Sequence, residues 1–439
     1  MSNADLVIKL FLQLAVILSV CHVVALAGRR VGQTRVVCEM VAGVLLGPSL
    51  LGLLVPGVQE WLFPLTATVG EGAAAVVITH PSMSILYAIS QVGLVLYMFL
   101  VGLEFNTGLI AGRMRSAGLV SAAGIVIPFA LGAAYSTQLT GGGRFFHPEV
   151  TPPWAALYLG ACMSITAFPM LARIIYEKGI AGTRLGTLTL AAGSMDDAVA
   201  WCLLAVVLAF LKGSVAIAVL AIGGGALFTL AMIVAGRPLL RGFERRVERD
   251  DGLTVNTLVF VLLVLSLAAW FTDAIGIYAV FGAFIVGAVM PRGRFAREVR
   301  GHTEYLTTGL LLPVFFVYSG LNTRLGLVSS VGLWGVTAAI ILLAIAGKGL
   351  ACAAAARAGG ESWRDAATIG TLMNARGLME LIILNIGLQA GIITPTLFTI
   401  LVMMAIVTTL MASPLFQLLY GRHLEQNGAE ERAGSAAAV

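Results

Sequence analysis

The chain has 439 residues, 59% of them apolar and 11% charged, with 27 Lys and Arg against 22 Asp and Glu. A soluble domain carries roughly a quarter charged residues, so a chain with less than half that share uses lipid as the solvent for most of its surface. The net charge of +5 does not imply nucleic-acid binding, because the basic residues are spread a few to each loop rather than clustered with aromatics.

Apolar stretches long enough to cross a bilayer recur between short polar loops. In chain order the predicted spans are 6–27, 36–54, 84–102, 117–138, 154–175, 185–211, 214–235, 253–272, 275–291, 304–321, 330–356, 365–388 and 395–419. Only helices fit them, since isolated strands would leave backbone groups unpaired in hydrocarbon. The expected fold is therefore an all-α polytopic membrane protein of about thirteen transmembrane helices. Residues 1–420 form one membrane transporter region, and 421–439 read as a short disordered cytoplasmic tail. Cys21, Cys38, Cys162, Cys202 and Cys352 lie in or beside apolar runs with no metal-ligand spacing, and are expected to be small buried hydrophobes.

The loops alternate sharply in Lys and Arg. One set, from Arg29, Arg30 and Arg35 through the Arg237–Arg249 and Arg292–Arg300 clusters to Arg422 and Arg432, holds 21; the opposite set holds Arg144, Lys212 and Arg324. The positive-inside rule then puts the N-terminus outside and the C-terminus in the cytoplasm, across a cell (inner or plasma) membrane. Lys9, an apolar stretch and Ala25-Leu26-Ala27 also resemble a cleavable signal peptide. Cleavage would place Arg29 and Arg30 outside, against every later loop, so an uncleaved first span is expected.

The two halves echo each other. VAGVLLGPSLLG (41–52) followed by QVGLVLYMFLVGLEFN (91–106) has a counterpart in FGAFIVGAVMP (281–291) followed by TGLLLPVFFVYSGLN (308–322). Both pairs lead through one span into a helix interrupted by polar residues. Equivalent helices are seven spans apart, an odd number, so the two five-helix copies would cross the membrane in opposite directions, as suits a transporter with outward- and inward-facing states.

Charged or helix-breaking residues in mid-span carry the chemistry, because a charge at the bilayer centre costs about 3 kcal/mol on insertion scales. AGSMDDAVAW (192–201) places Asp196 and Asp197 side by side well inside the sixth span. Such a pair needs a water-filled cavity, a cation or basic neighbours. Desolvation disfavours the charged carboxyl, so a buried acid can hold a proton near neutral pH and trade it for a cation. In SITAFPMLAR (164–173) Pro169 disturbs the preceding turn of the fifth span. The carbonyls freed near Thr166, with the Ser164 and Thr166 hydroxyls, suit a hard monovalent cation, the alternative being a plain proline kink. Lys348, in AIAGKGL (344–350), sits near the middle of the eleventh span, either as a counter-ion for a buried acid or snorkelling to an interface, and its distance from the basic loop at Arg357 favours the counter-ion. In NARGLMELIILNIG (374–387), Arg376 and Glu380 are four apart on one helical face and can pair, either as a structural ion pair or as substrate ligands, while Gly377 lets the backbone open or a neighbour approach. Asp273 is expected to be solvated at the outer surface, and Glu39 and Glu104 to be interfacial. No histidine metal site, no nucleophile–base set and no cofactor site are visible, which argues against an enzyme.

SITAFPMLAR at 164–173, DD at 196–197, FTDAIGIYAVFGAFIVG at 271–287, LLPVFFVYSGL at 311–321, GK at 347–348 and NARGLMELIILNIG at 374–387 occur together and in order. This set resembles the monovalent cation:proton antiporter-2 branch of the sodium/proton exchanger superfamily, over roughly residues 6–420. The resemblance implies a homodimer whose protomers each interleave dimerisation (scaffold) helices with a six-helix ion-transport core, in which unwound helices 5 and 12 cross beside the carboxylates. It implies that Asp197 binds Na⁺ or K⁺ in competition with a proton, that Lys348 pairs with Asp196, that Thr166 contributes through its unwound backbone, and that Arg376 and Glu380 stabilise the crossing. In the family the acid pair with a lysine goes with electrogenic exchange, whereas the Arg376/Glu380 pattern is also found in electroneutral members. Potassium-efflux relatives carry a nucleotide-binding regulatory domain. None is expected here, because about twenty residues follow the last predicted span.

The expected function is secondary exchange of a monovalent cation for protons by elevator-type alternating access. Two alternatives stand beside it: a sodium-coupled organic anion symporter of the same fold, and a non-transporting membrane sensor or scaffold.

Overall fold

The computed structural model describes residues 2–69, 76–104, 114–180, 183–211, 215–249, 252–276, 278–321 and 325–421. In chain order the helices are α1 (Asn3–Arg29), α2 (Arg35–Leu46), α3 (Leu51–Leu54), α4 (Pro56–Leu62), α5 (Pro81–Glu104), α6 (Met114–Leu139), α7 (Pro152–Ser164), α8 (Phe168–Glu177), α9 (Arg184–Leu211) and α10 (Val215–Ala231). They continue as α11 (Arg237–Arg249), α12 (Val255–Ala274), α13 (Ala279–Val289), α14 (Arg294–Leu306), α15 (Leu312–Leu321), α16 (Val331–Ala344), α17 (Ala351–Ala358), α18 (Trp363–Met373), α19 (Leu378–Gln389) and α20 (Pro395–Phe416). Among the described residues, nine helices are long and apolar enough to cross a membrane. The protein is a multi-pass helical membrane protein.

Several expectations are corrected. The fold is not purely helical: Thr66–Val69 (β1) pairs antiparallel with Val76–Thr79 (β2), Thr66 opposite Thr79. The β-branched runs TATV and VVIT favour a pleated ribbon. The predicted span 36–54 agrees with the apolar stretch Arg35–Leu54, but its helix is interrupted at 47–50, because Pro48 donates no backbone hydrogen bond and disfavours the helical conformation at the residue before it. The arginine-rich stretch after residue 235, expected to be a loop, continues as helix α11, with Leu240 and Val247 buried one above the other. A π turn at Met232–Gly236 precedes Pro238 and absorbs the bond that proline cannot make. Likewise the helix expected to begin at 304 starts at Arg294: Phe295, Val299 and Thr303 are buried on one face, while Arg294–Glu298 (2.6 Å) and Arg300–Glu304 (2.9 Å) pair one turn apart on the other. Polar residues here mark an amphipathic helix, not a loop. Cys202 is exposed, unlike the other four cysteines. Glu39 is buried within α2, and Asp273 is exposed at the end of α12, as expected. Of the expected tail, 422–439 lies outside the described residues.

The chain divides into two compact units, each assembled from three separate segments. The first comprises Met1–Leu26, Cys38–Thr107 and Trp201–Leu325. Its core packs Ile17, Ala42, Phe63, Leu86, Val314 and Val317 together. Two backbone crossings hold it. A Cβ on Gly320 would stand 2.3 Å from the Gly43 carbonyl carbon, and one on Gly287 would stand 2.2 Å from the Phe99 carbonyl oxygen. Both crossings join echoing segments: 41–52 meets 308–322, and 91–106 meets 281–291. Only glycine allows helix backbones so close. The second unit comprises Ala27–Val37, Gly108–Ala200 and Gly326–Val439. Its apolar core runs through Ile174, Ile175, Leu188, Ile369, Leu372 and Phe416, and it contains all of the mid-span charged residues singled out above.

Candidate functional site

Two helices of the second unit are broken in mid-course. Residues 165–167 separate α7 from α8, and 374–377 separate α18 from α19. The breaks meet: the Ala167 amide donates to the Ala375 carbonyl at 3.2 Å. Pro169 explains the first break, since it cannot donate to the carbonyl four residues back. At the second, Gly377 has φ 167, extended backbone open to any residue, and a Cβ there would meet Ala167 Cβ in ordinary contact at 3.4 Å, so neither conformation nor space demands glycine.

A broken helix exposes its last four carbonyls, which need other partners. At the end of α7 all four have them, and all are side chains. Ala161 O accepts from the Ser164 hydroxyl at 2.9 Å. Cys162 O and Met163 O accept from Arg376 Nη1 and Nη2 at 2.9 and 2.7 Å. Ser164 O accepts from Lys348 Nζ. Two cationic side chains thus sit on the negative end of the α7 dipole.

Lys348 lies in a π turn, Ile345–Leu350, which swings its side chain out of the regular helical register. Its ammonium has three protons and three acceptors: Ser164 O, Gly124 O at 2.8 Å and Asp196 Oδ2 at 2.9 Å, with both side chains of the ion pair fully buried. Thr166 Oγ1 also donates to Asp196 Oδ2, at 2.7 Å. Asp197, the next residue on α9, is 3% exposed. The acidic pair is therefore deep in the protein and not at a helix end. Asp196 meets Lys348, and Asp197 follows it in the chain on α9.

Arg376 is fully buried and is the largest such side chain among the described residues. Beyond its two carbonyl acceptors, its Nη1 lies 3.4 Å from Glu380 Oε1, and Glu380 is 1% exposed. Its own backbone is tied to α20, the amide donating to Thr409 Oγ1 at 3.0 Å. The positive end of α19 receives Glu380 in its first turn, the favoured place for an acid.

The arrangement brings together Ser164, Thr166, Asp196 and Lys348 in one bonded cluster, with Asp197 adjacent in the chain. Arg376 and Glu380 join it through the α7 carbonyls. Ser164 takes part through its main-chain oxygen, while its hydroxyl turns back onto its own helix. Sequence reasoning missed Gly124 and Thr409. Gly124 contributes a carbonyl, which leaves no trace in residue type. Its lack of a side chain is the readable part: a Cβ would stand 2.6 Å from Cys352 Sγ and 3.6 Å from Asp196 Oδ2. Thr409 carried a weak signal, as one of two adjacent threonines in a mostly apolar helix.

The sodium/hydrogen exchanger transmembrane family model matches residues 15–419. The chain belongs to that family. It is a family of transporters rather than enzymes. This exchanger-family chain is 39% identical to the Na(+)/H(+) antiporter NhaS4 of Synechocystis sp. over 420 residues, which is 95% of the chain and 98% of the relative. It is 34% identical to cation/H(+) antiporter 19 of Arabidopsis thaliana, over 94% of the chain and 49% of that protein. With the K(+)/H(+) antiporter 1 of Saccharomyces cerevisiae the identity is 30%, over 95% of the chain and 47% of the relative. The chain thus spans about half the length of the plant and yeast relatives. In fold it is similar to the sodium proton antiporter MjNhaP1 of Methanocaldococcus jannaschii, with a TM-score of 0.64, 15% identity, and coverage of 95% and 97% of the two chains.

One consequence of the Lys348–Asp196 pair can be tested directly. Removing one partner leaves the other charge buried and uncompensated. Lys348→Met and Asp196→Asn are therefore each expected to lower the unfolding midpoint in detergent, and the double variant to recover about 1–3 kcal/mol of their summed loss. Strictly additive losses would show that the two charges do not depend on each other.

Proposed function

We propose that the protein is a secondary antiporter exchanging a monovalent cation, Na⁺ or K⁺, for H⁺. The observation that carries this reading is the adjacent buried acidic pair Asp196 and Asp197 on α9, beside the two broken helices, with Asp196 held by an intramembrane lysine and Asp197 proposed to carry a charge that can be exchanged. One proton or one monovalent cation neutralises it. Because the two compete for the same acid, neither leaves without the other arriving, which is exchange. Asp196, held on one oxygen by Lys348 and Thr166, orients the group, and Asp197 carries the cargo. The non-helical backbone at 165–167, around Thr166, supplies neutral oxygens. Arg376 and Glu380 hold the broken ends together. An organic anion symporter does not need paired aspartates with an intramembrane lysine, and that alternative is not favoured.

Transport in this proposal is elevator-type alternating access, in which the ion-transport helices move against the dimerisation helices. A neutralised site crosses the low-dielectric interior at far lower cost than an empty, charged one. Thirteen spans in two inverted five-helix repeats fit this scheme. The glycine crossings support it, since the first segment of each half packs on the second segment of the other, as a two-fold axis in the membrane plane requires. The division into two units interleaved in sequence accords with scaffold and core helices within 1–420. The proposed setting is the cell membrane, N-terminus outside, C-terminus cytoplasmic, as a homodimer.

Competition makes a quantitative prediction for proteoliposomes. Over the pH range in which the acid is mostly protonated, the apparent KM for the cation rises about tenfold for each unit of acidification, while the maximal rate at saturating cation holds. A maximal rate that falls with pH at constant KM would mean that proton and cation do not share a site.

A further inference from the structure

Resting on the exchange reading, we infer that Asn374 is a ligand of the transported cation, contributing its side-chain carbonyl oxygen at the C-terminal end of α18.

The two broken helices end alike in backbone but not in partners. The end of α7 is covered by Arg376 and Lys348 on three successive carbonyls. The end of α18 receives no cationic side chain among the described residues. Leu372 O accepts backbone amides, that of Ala375 at 3.0 Å, and Met373 O has the Thr166 hydroxyl at 3.5 Å. Each helix end carries about half a negative charge. One is neutralised by the protein and the other is left to something else.

Asn374 caps that second end. It is 5% exposed, and its Oδ1 is buried with no hydrogen-bond donor. Leaving a buried carbonyl oxygen unpartnered is costly, and such an oxygen calls for a water or ion to complete it. Two features favour a cation over water. The α18 end is negative, and the Thr166 hydroxyl that approaches Met373 O also donates to Asp196 Oδ2 at 2.7 Å, so Asn374 stands one peptide unit from a contact that leads to the acidic pair. Asp196 Oδ1 is a second buried oxygen with no donor. Amide and carbonyl oxygens are the neutral ligands that hard alkali cations take in place of their hydration shell. A neutral ligand also adds no proton-binding group, so it raises cation affinity without altering the competition at Asp197.

The test uses the full-length protein in proteoliposomes, with Na⁺, K⁺ and Li⁺ compared under an imposed pH gradient, and cation-induced thermal stabilisation in detergent as a readout independent of flux. Asn374→Ala is expected to raise the apparent KM for the transported cation about tenfold or more at a nearly unchanged maximal rate, and to alter the order of preference among the three ions. Asn374→Asp, which keeps an oxygen in place, is expected to hold or lower that KM near neutral pH. Should the alanine variant not fold, a tenfold rise in KM in Asn374→Asp overturns the assignment. So does an alanine variant whose KM and thermal stabilisation stay within twofold of the parent for all three cations while the parent exchanges normally. A parent protein with no cation-dependent proton flux overturns the exchange reading itself.

Discussion

Asp197→Asn is expected to reduce cation-dependent proton flux by about three orders of magnitude while leaving a folded, monodisperse protein. The substitution keeps shape and volume and removes one charge. Asp196 keeps its pairing with Lys348, while the carboxylate proposed to hold the proton or cation is gone. Close-range attraction between a carboxylate and a monovalent ion is worth about 4 kcal/mol at the effective dielectric of such sites, which corresponds to the loss stated. The measurement is dissipation of a pH gradient in proteoliposomes on adding Na⁺ or K⁺. Full flux from the variant would sink the exchange mechanism proposed here, and flux lost only because the protein fails to fold would show up as aggregation in detergent.

The largest effect on stability is expected at Arg376. Its guanidinium bonds two carbonyls at the end of α7 and faces Glu380, all without contact with water. Arg376→Ala strips both carbonyls of their donors and leaves Glu380 buried without its cation. Breaking a buried pair in this way costs about 3–5 kcal/mol. Arg376→Lys recovers little, because one ammonium cannot reproduce the two-pronged geometry of the guanidinium. Adding Glu380→Gln to Arg376→Ala recovers part of the loss by removing the orphaned charge, and the parts that come back separate the ion pair from the carbonyl capping. Unfolding midpoints in detergent check all three. A midpoint for Arg376→Ala equal to the parent's would show that the crossing is held by other contacts. The same variants decide between the two readings of this pair: a structural role leaves the cation KM of the folded fraction unchanged, and a ligand role raises it.

The residues of the site were legible because lipid makes polarity rare. Asp196, Asp197, Lys348, Arg376 and Glu380 stood out as charges in apolar runs, and Pro169 marked the first break. What each bonds to was not legible. Lys348 meets Asp196 across 152 positions of sequence, and Arg376 meets carbonyls more than 200 positions away. Main-chain oxygens carry no residue-type signal, and so the covering of the α7 end, the role of Gly124 and the contrast with the α18 end were invisible. The errors in the fold have a common cause. Reading hydropathy alone ends a helix where arginines begin, although α11 and α14 continue past that point on one buried face.

Composition and charge pattern by themselves determined that this is a multi-pass membrane protein and which residues lie at mid-span, since water-to-lipid transfer acts on each side chain independently of its neighbours. The tertiary structure alone decided which charges neutralise one another and which helix end the cationic side chains cover. Those outcomes depend on distances of a few ångströms between segments far apart in the chain, where a buried charge is tolerated only if its partner is in contact.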